Sequence, residues 1–163
     1  MPSPDPHPKS VVSLISNATI ELRLAGRQRD EVLAQLVGRI AEIADRPEDR
    51  QTLLRALQER EQLHSTGIGD GVALPHARNA LVGLVQKPVI VFGRHDQGIP
   101  YGSIDARPAH LFFLLVTTTV TQHLQILARI SRLVRDPALR HELMRADKPE
   151  KVLALIRDAE ARM

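Results

Sequence analysis

Apolar residues recur three and four positions apart between Gln28 and Ala44, at Val32, Leu33, Leu36, Val37, Ile40 and Ile43. That spacing predicts one amphipathic helix over the whole stretch. A second helix is expected from Pro47 to about Gln62. Proline suits its first turn, Glu48 and Asp49 complement the helix dipole, and Leu53, Leu54 and Leu57 form an apolar stripe. Arg60 lies at i+7 from Leu53, so the spacing turns it inward. From His64 to Gly71 the sequence HSTGIGDG sets three glycines at alternate positions and ends the helical pattern. Val89–Phe92 and Leu111–Val116 are continuous apolar runs, the mark of strands covered on both faces. Val72–Leu74 and Ile20–Leu24 are shorter strand candidates. Three helices are expected to close the chain. The first follows Thr119, with Gln122 completing a capping box, and the second follows Asp136-Pro137. The third follows Asp147, with Pro149 in its first turn and Glu150 completing another box. Buried strands alternating with amphipathic helices predict an α/β fold, a mixed, mostly parallel sheet flanked by helices on both faces.

The chain of 163 residues fits one domain, here 11–163, preceded by a flexible tail over 1–10 with prolines at positions 2, 4, 6 and 8. Hydrophobic residues make up 43% and charged residues 25%, which excludes a wholly disordered chain. Cysteine is absent, and with it any disulfide, thiolate nucleophile or cysteine-ligated metal. The net charge of +3 comes from basic residues interleaved with acids, with no block that would mark a nucleic-acid surface. No signal segment is visible, and no apolar run approaches the roughly 20 residues of a spanning helix. No nucleic acid and no membrane insertion are therefore expected, and the expected location is the cytoplasm.

Three side chains are candidates for chemistry. His76 follows a short strand and Pro75, whose fixed φ stiffens the backbone, and it lies close in sequence to the glycines 67, 69 and 71. Glycines let backbone N–H groups approach an anion, the setting a phosphoryl-accepting histidine needs; a surface histidine beside a turn is the plainer alternative. An inward Arg60 needs a partner, either a carboxylate in a salt bridge or a phosphate it clamps. His123 falls in the first turn of the helix after Thr119, where free N–H groups favour anions. It could donate to a phosphoryl oxygen or simply bond a nearby carbonyl. The remaining histidines, 7, 64, 95, 110 and 141, show no HExxH pattern and no acids at ligand spacing, so no metal is expected.

Taken together, Arg60-Glu61, then Ser65-Thr66-Gly67-Ile68-Gly69, then Gly71-Val72-Ala73-Leu74-Pro75-His76 resemble the RE, STGIG and GVAxPH signature of a known family. It is the fructose–mannitol type enzyme IIA of the bacterial phosphoenolpyruvate-dependent phosphotransferase system. The likeness extends more loosely from about Val11 to the C-terminus and is greatest to the nitrogen-regulatory branch. The resemblance implies that His76 carries a phosphoryl group on Nε2, that Arg60 is the active-site arginine, and that His123 is the second active-site histidine. Ser65, Thr66, Gly67, Gly69 and Gly71 would form the phosphate-binding loop. The implied partners are an HPr-like phosphocarrier as donor and, downstream, regulatory target proteins or an enzyme IIB. No metal or other cofactor is implied. Two positions depart from the pattern. His64 stands where a glycine is common, and Asp70 places an acid within the loop, where it would repel phosphate. Chemically, His76 is expected to attack as a neutral imidazole whose other nitrogen is protonated and held by a carbonyl or similar acceptor.

Overall fold

The run Leu111–Val116 is apolar at every position because it belongs to the central strand of a five-stranded sheet. The computed structural model describes residues 10–78 and 83–163, so nearly all of the expected tail lies outside the described residues. The strands are β1 (Ile20–Glu21), β2 (Gly67–Gly69), β3 (Val72–Ala73), β4 (Val89–Ile99) and β5 (Ala109–Val116), in the spatial order β1-β4-β5-β3-β2. Five helices join them: α1 (Arg29–Val37), α2 (Pro47–Leu63), α3 (Val120–Leu133), α4 (Pro137–Arg145) and α5 (Pro149–Ala161). The sheet is mixed, as expected, but not mostly parallel, since the long β4–β5 pair is antiparallel. Its parallel pairs β1–β4 and β3–β5 are balanced by the antiparallel pairs β4–β5 and β2–β3.

Side chains alternate across β5. Leu111, Phe113 and Leu115 enter one core with Ile126 and Ile130 of α3, Leu139 and Leu143 of α4, and Val152 and Ile156 of α5. Phe112, Leu114 and Val116 enter the other, with Val32, Leu33 and Leu36 of α1 and Leu53 and Leu57 of α2. Each such buried side chain contributes about 1.5–3 kcal/mol, and this two-sided burial is what fixes the layers. Edge-to-face ring pairs mark both cores, Phe92–Phe113 at 5.2 Å in the first and Tyr101–Phe112 at 5.5 Å in the second.

Several expectations need correction. The helix expected over 28–44 stops at Val37. Gly38 caps it, Ile40 is extended, and the chain resumes as a 3-10 turn at Ala41–Ile43. Val37, Ile40 and Ile43 are all buried, so the spacing reported burial correctly but not a continuous helix, since an i+3 period also fits a 3-10 turn. Strand β4 runs well past Phe92 into polar Arg94, His95 and Asp96. Gly93 makes this possible, because a Cβ there would lie 2.6 Å from a methyl of Leu36 and 2.8 Å from one of Leu24. The N-terminus of α3 is capped by the Thr119 hydroxyl, which accepts from the Gln122 N–H at 3.2 Å, whereas the Gln122 side chain accepts from Thr118. At α5 the capping residue is Lys148, without a side-chain cap, and Glu150 accepts from Asn17 instead. Asp136 caps α4 as expected, accepting from the Ala138 N–H at 2.9 Å. Among the described residues, no helix is long and apolar enough to cross a membrane.

Candidate functional site

Strands β3 and β5 are parallel, so their C-terminal ends emerge on the same edge of the sheet. The β3 end leads through Leu74-Pro75 to His76, and the β5 end leads through Thr117–Thr119 to the N-terminus of α3. Such an edge is where open α/β sheets hold ligands. His76 is tied in by its neighbours. The Leu74 N–H donates to the Thr66 carbonyl at 3.0 Å, and the Leu115 N–H donates to the Pro75 carbonyl at 3.0 Å. The His76 ring then places Nδ1 2.6 Å from the Leu74 carbonyl oxygen. A carbonyl only accepts, so Nδ1 carries the proton and Nε2 keeps its lone pair. Burial holds the His76 pKa below the usual histidine value against the opposing pull of the Leu74 bond, and the Arg60 charge lowers it further.

His123 stands on the first turn of α3 with its ring centroid 5.2 Å from that of His76 and the planes tilted by 56°. It is buried, and its Nδ1 lies 3.0 Å from the Thr117 hydroxyl. The same hydroxyl donates to the Thr119 carbonyl at 3.5 Å. The His123 Nε2 has no protein partner among the described residues. Burial, reinforced by the neighbouring His76, lowers the His123 pKa to about 4. Both rings are therefore neutral at pH 7.

Arg60 reaches the site from the opposite layer, near the end of α2. It is half-buried, not fully inward. The buried stripe runs Leu53, Leu57, Glu61, and Arg60 sits beside it. Its Nη1 donates to the His64 carbonyl at 2.6 Å across the helix end, and among the described residues it forms no salt bridge. A cleft of about 690 Å³ opens next to it, lined by Ala56, Glu59, Arg60, Leu63, Ala77 and Arg78. The Arg60 guanidinium and the positive end of the α3 dipole thus lie near a neutral histidine pair. The arrangement suits an incoming dianion.

The glycine-rich segment does a different job from the one expected of it. Gly69, Asp70 and Gly71 have φ of 94°, 54° and 80°, the left-handed conformation of the β2–β3 hairpin tip. The Gly71 carbonyl accepts from the Leu111 N–H at one end of β5, whereas His76 bridges Leu115 near the other. Four residues of strand, about 13 Å, separate the two levels. Gly69 and Gly71 are therefore hairpin residues rather than a phosphate cradle, and Asp70 is too distant to repel a group on His76. Ser65, Thr66 and Gly67 lie closer but spend their polar groups inside the loop. The Ser65 hydroxyl donates to the Tyr101 carbonyl at 2.5 Å and accepts from the Gly67 N–H at 3.0 Å. The Thr66 N–H donates to the Glu61 carboxylate at 3.0 and 3.1 Å, and its hydroxyl donates there as well. Gly67 must be glycine, because a Cβ would lie 2.2 Å from the Ser103 hydroxyl oxygen. Sequence reasoning missed Glu61, the Leu74 carbonyl and Thr117. Glu61 had a signal, its place beside Arg60 on the buried stripe; a backbone carbonyl has none.

Fold and site together define a small α/β protein that presents a fixed, neutral histidine near Arg60 and a second histidine. The chain belongs to the family described as phosphoenolpyruvate-dependent sugar phosphotransferase system, EIIA 2, whose model matches residues 13–159. It is 34% identical over 148 residues to the fructose-specific EIIABC component of Bacillus subtilis, covering 90% of this chain and 23% of that protein. It is 28% identical over 148 residues to a nitrogen regulatory protein of Bradyrhizobium diazoefficiens, covering 90% of this chain and 94% of that one. The nitrogen regulatory protein IIA-Ntr of Neisseria meningitidis shares the fold, with a TM-score of 0.77 and 24% identity over 90% of this chain and 98% of that chain.

Proposed function

We propose that His76 accepts a phosphoryl group on Nε2 from the phosphohistidine of an HPr-like carrier, and that the phosphorylation state of this chain regulates partner proteins. One observation carries the reading: the Leu74 carbonyl fixes the Nδ1–H tautomer and leaves the Nε2 lone pair free on a ring 5.2 Å from His123 and within the field of Arg60. The Nε2 lone pair attacks phosphorus in line. The new N–P bond forms as the carrier's N–P bond breaks, and the carrier imidazole leaves with the electron pair and takes a proton from solvent. In this reading His123 carries its proton on Nε2 and, with Arg60, stabilises the equatorial oxygens, assisted by the α3 N-terminus. The donor is already activated, so positioning supplies most of the catalysis. A phosphoryl group adds about −1.5 to −2 charges, enough to change which partner surface is tolerated. The cytoplasm, where a soluble carrier would be found, is the expected place of action.

The regulatory output is supported by the likeness to the Bradyrhizobium protein, which extends over most of that relative's length. The higher identity to the Bacillus fructose component favours a second output, transfer of the phosphoryl group to an enzyme IIB for sugar uptake. Intact-protein mass after incubation with phosphoenolpyruvate, enzyme I and an HPr-like carrier tests the relay. One acid-labile phosphoryl group on the wild type, absent from His76→Ala, is the expected result; no gain overturns it. Subsequent loss of the label to a purified IIB distinguishes the sugar output from the regulatory one.

A further inference from the structure

We infer that Glu61 is a positioning residue for His76, acting through Thr66 and Leu74. The inference rests on the reading of His76 as the phosphoryl acceptor. Glu61 is buried at the end of α2 and takes three hydrogen bonds from one residue, two to its carboxylate from the Thr66 N–H and one from the Thr66 hydroxyl. The Thr66 carbonyl accepts from the Leu74 N–H at 3.0 Å, extending the β2–β3 ladder by one rung. The Leu74 carbonyl in turn takes the His76 Nδ1–H at 2.6 Å. An unbroken series of hydrogen bonds thus connects a helix-end carboxylate to the ring whose other nitrogen is the nucleophile.

The coupling is positional. The N–H and C=O of Thr66 belong to different peptide groups, as do those of Leu74, so polarisation does not pass straight along the series. Glu61 instead sets where the Thr66 backbone lies, Thr66 sets Leu74, and Leu74 aims its carbonyl. Pro75 adds stiffness at the last step, since it restricts Leu74 to extended conformations. Adjacent residues of α2 therefore divide the work: Arg60 faces the reacting group, and Glu61 turns into the protein and holds the acceptor that fixes the tautomer. Release of Thr66 would free the Leu74 carbonyl to shift, and the His76 proton would redistribute between its two nitrogens. Every molecule with the proton on Nε2 has lost its nucleophilic lone pair.

The test uses Glu61→Gln and Thr66→Val, with Thr66→Ser as the conservative rescue and Leu57→Ala as a destabilised control in the same helix. Two readouts are taken on the full chain. The first is phosphoryl transfer from the phosphorylated carrier, separated into kcat and KM; the second is the His76 tautomer, from ¹⁵N chemical shifts of the unphosphorylated protein. Glu61→Gln and Thr66→Val are expected to lower kcat about tenfold or more with KM little changed, because a small misplacement of a reacting group is costly. Both should shift His76 away from the Nδ1–H form. Thr66→Ser should restore rate and tautomer, and Leu57→Ala should lower the melting temperature with the tautomer intact. Wild-type tautomer and kcat in Thr66→Val overturn the inference, and that variant decides it even where Glu61→Gln fails to fold. Failure of the wild type to accept phosphate overturns the relay instead, and the tautomer measurement still reads the positioning role.

Discussion

Two pairs of histidines lie near opposite ends of β5, and they are held in different ways. His95 is buried with both ring nitrogens engaged: Nδ1 accepts from the Gly98 N–H at 3.0 Å and Nε2–H donates to the Gly26 carbonyl at 2.8 Å. His110 donates Nδ1–H to the His95 carbonyl at 3.0 Å, and its ring edge fills the space where a Gly98 side chain would stand. These rings bind one stretch of backbone to another. His76 and His123 each spend only Nδ1 on the protein among the described residues, and their rings face each other. Burial does not separate the pairs, since His123 is as buried as His95. An uncommitted nitrogen alone does not separate them either, since His110 also engages only Nδ1; the separating property is two such rings brought within 5.2 Å of each other near Arg60.

That contrast can be broken at each histidine. The largest effect is expected from His76→Ala, which should abolish phosphoryl uptake, as measured by intact mass, while the circular dichroism spectrum stays that of the wild type. Arg60→Ala should slow transfer by about 10²-fold, the usual cost of losing one preorganised charge-stabilising group. Stopped-flow transfer at the wild-type rate would refute its clamp role. His95→Ala should do the reverse. It leaves the Gly26 carbonyl and the Gly98 N–H without their partner, costing about 2 kcal/mol or more in urea unfolding, with transfer within a few-fold of wild type. A large loss of transfer with unchanged stability would erase the distinction between the pairs.

The smallest and finest effect lies in pH. Burial keeps His76 below the usual histidine pKa and His123 at about 4, so both rings resist protonation in the folded state. The unfolded chain, with histidines near 6.5, binds more protons at lower pH. Stability contributed by this pair is therefore fully present above about pH 6.5 and falls as pH drops toward 4. Unfolding free energy should decline across that window, and His123→Gln should flatten the decline. An NMR titration midpoint for His123 at or above 6.5 would contradict the burial that causes it.

Local signals in the sequence recover much of this. The apolar run of β5, the Pro47 start of α2 and the Asp136 cap of α4 are governed by neighbours in sequence, and each is found where the pattern places it. Strand β2 escapes because Gly67-Ile68-Gly69 has almost no strand propensity and is held by its hairpin partner. The later part of β4 escapes because Arg94 is buried by tertiary contacts, donating to the Leu143 and Ala146 carbonyls at the end of α4. At the site, His76, Arg60 and His123 are legible from spacing and motif, and the structure brings them together. The glycines are conspicuous in the sequence, yet Gly69 and Gly71 serve the hairpin turn. The Leu74 carbonyl, which decides the protonation of His76, is a backbone atom and leaves no trace in residue type.

Arg60 comes from the helical layer on one side of the sheet and His123 from the layer on the other, with His76 at the strand edge between them. Neither hydrophobic core alone can assemble the three. A copy with only one layer docked, whether newly synthesised, heat-damaged or nicked by a protease, has the nucleophile without part of its electrostatic support. On the proposed reading, phosphate uptake therefore requires both layers to be in place at once.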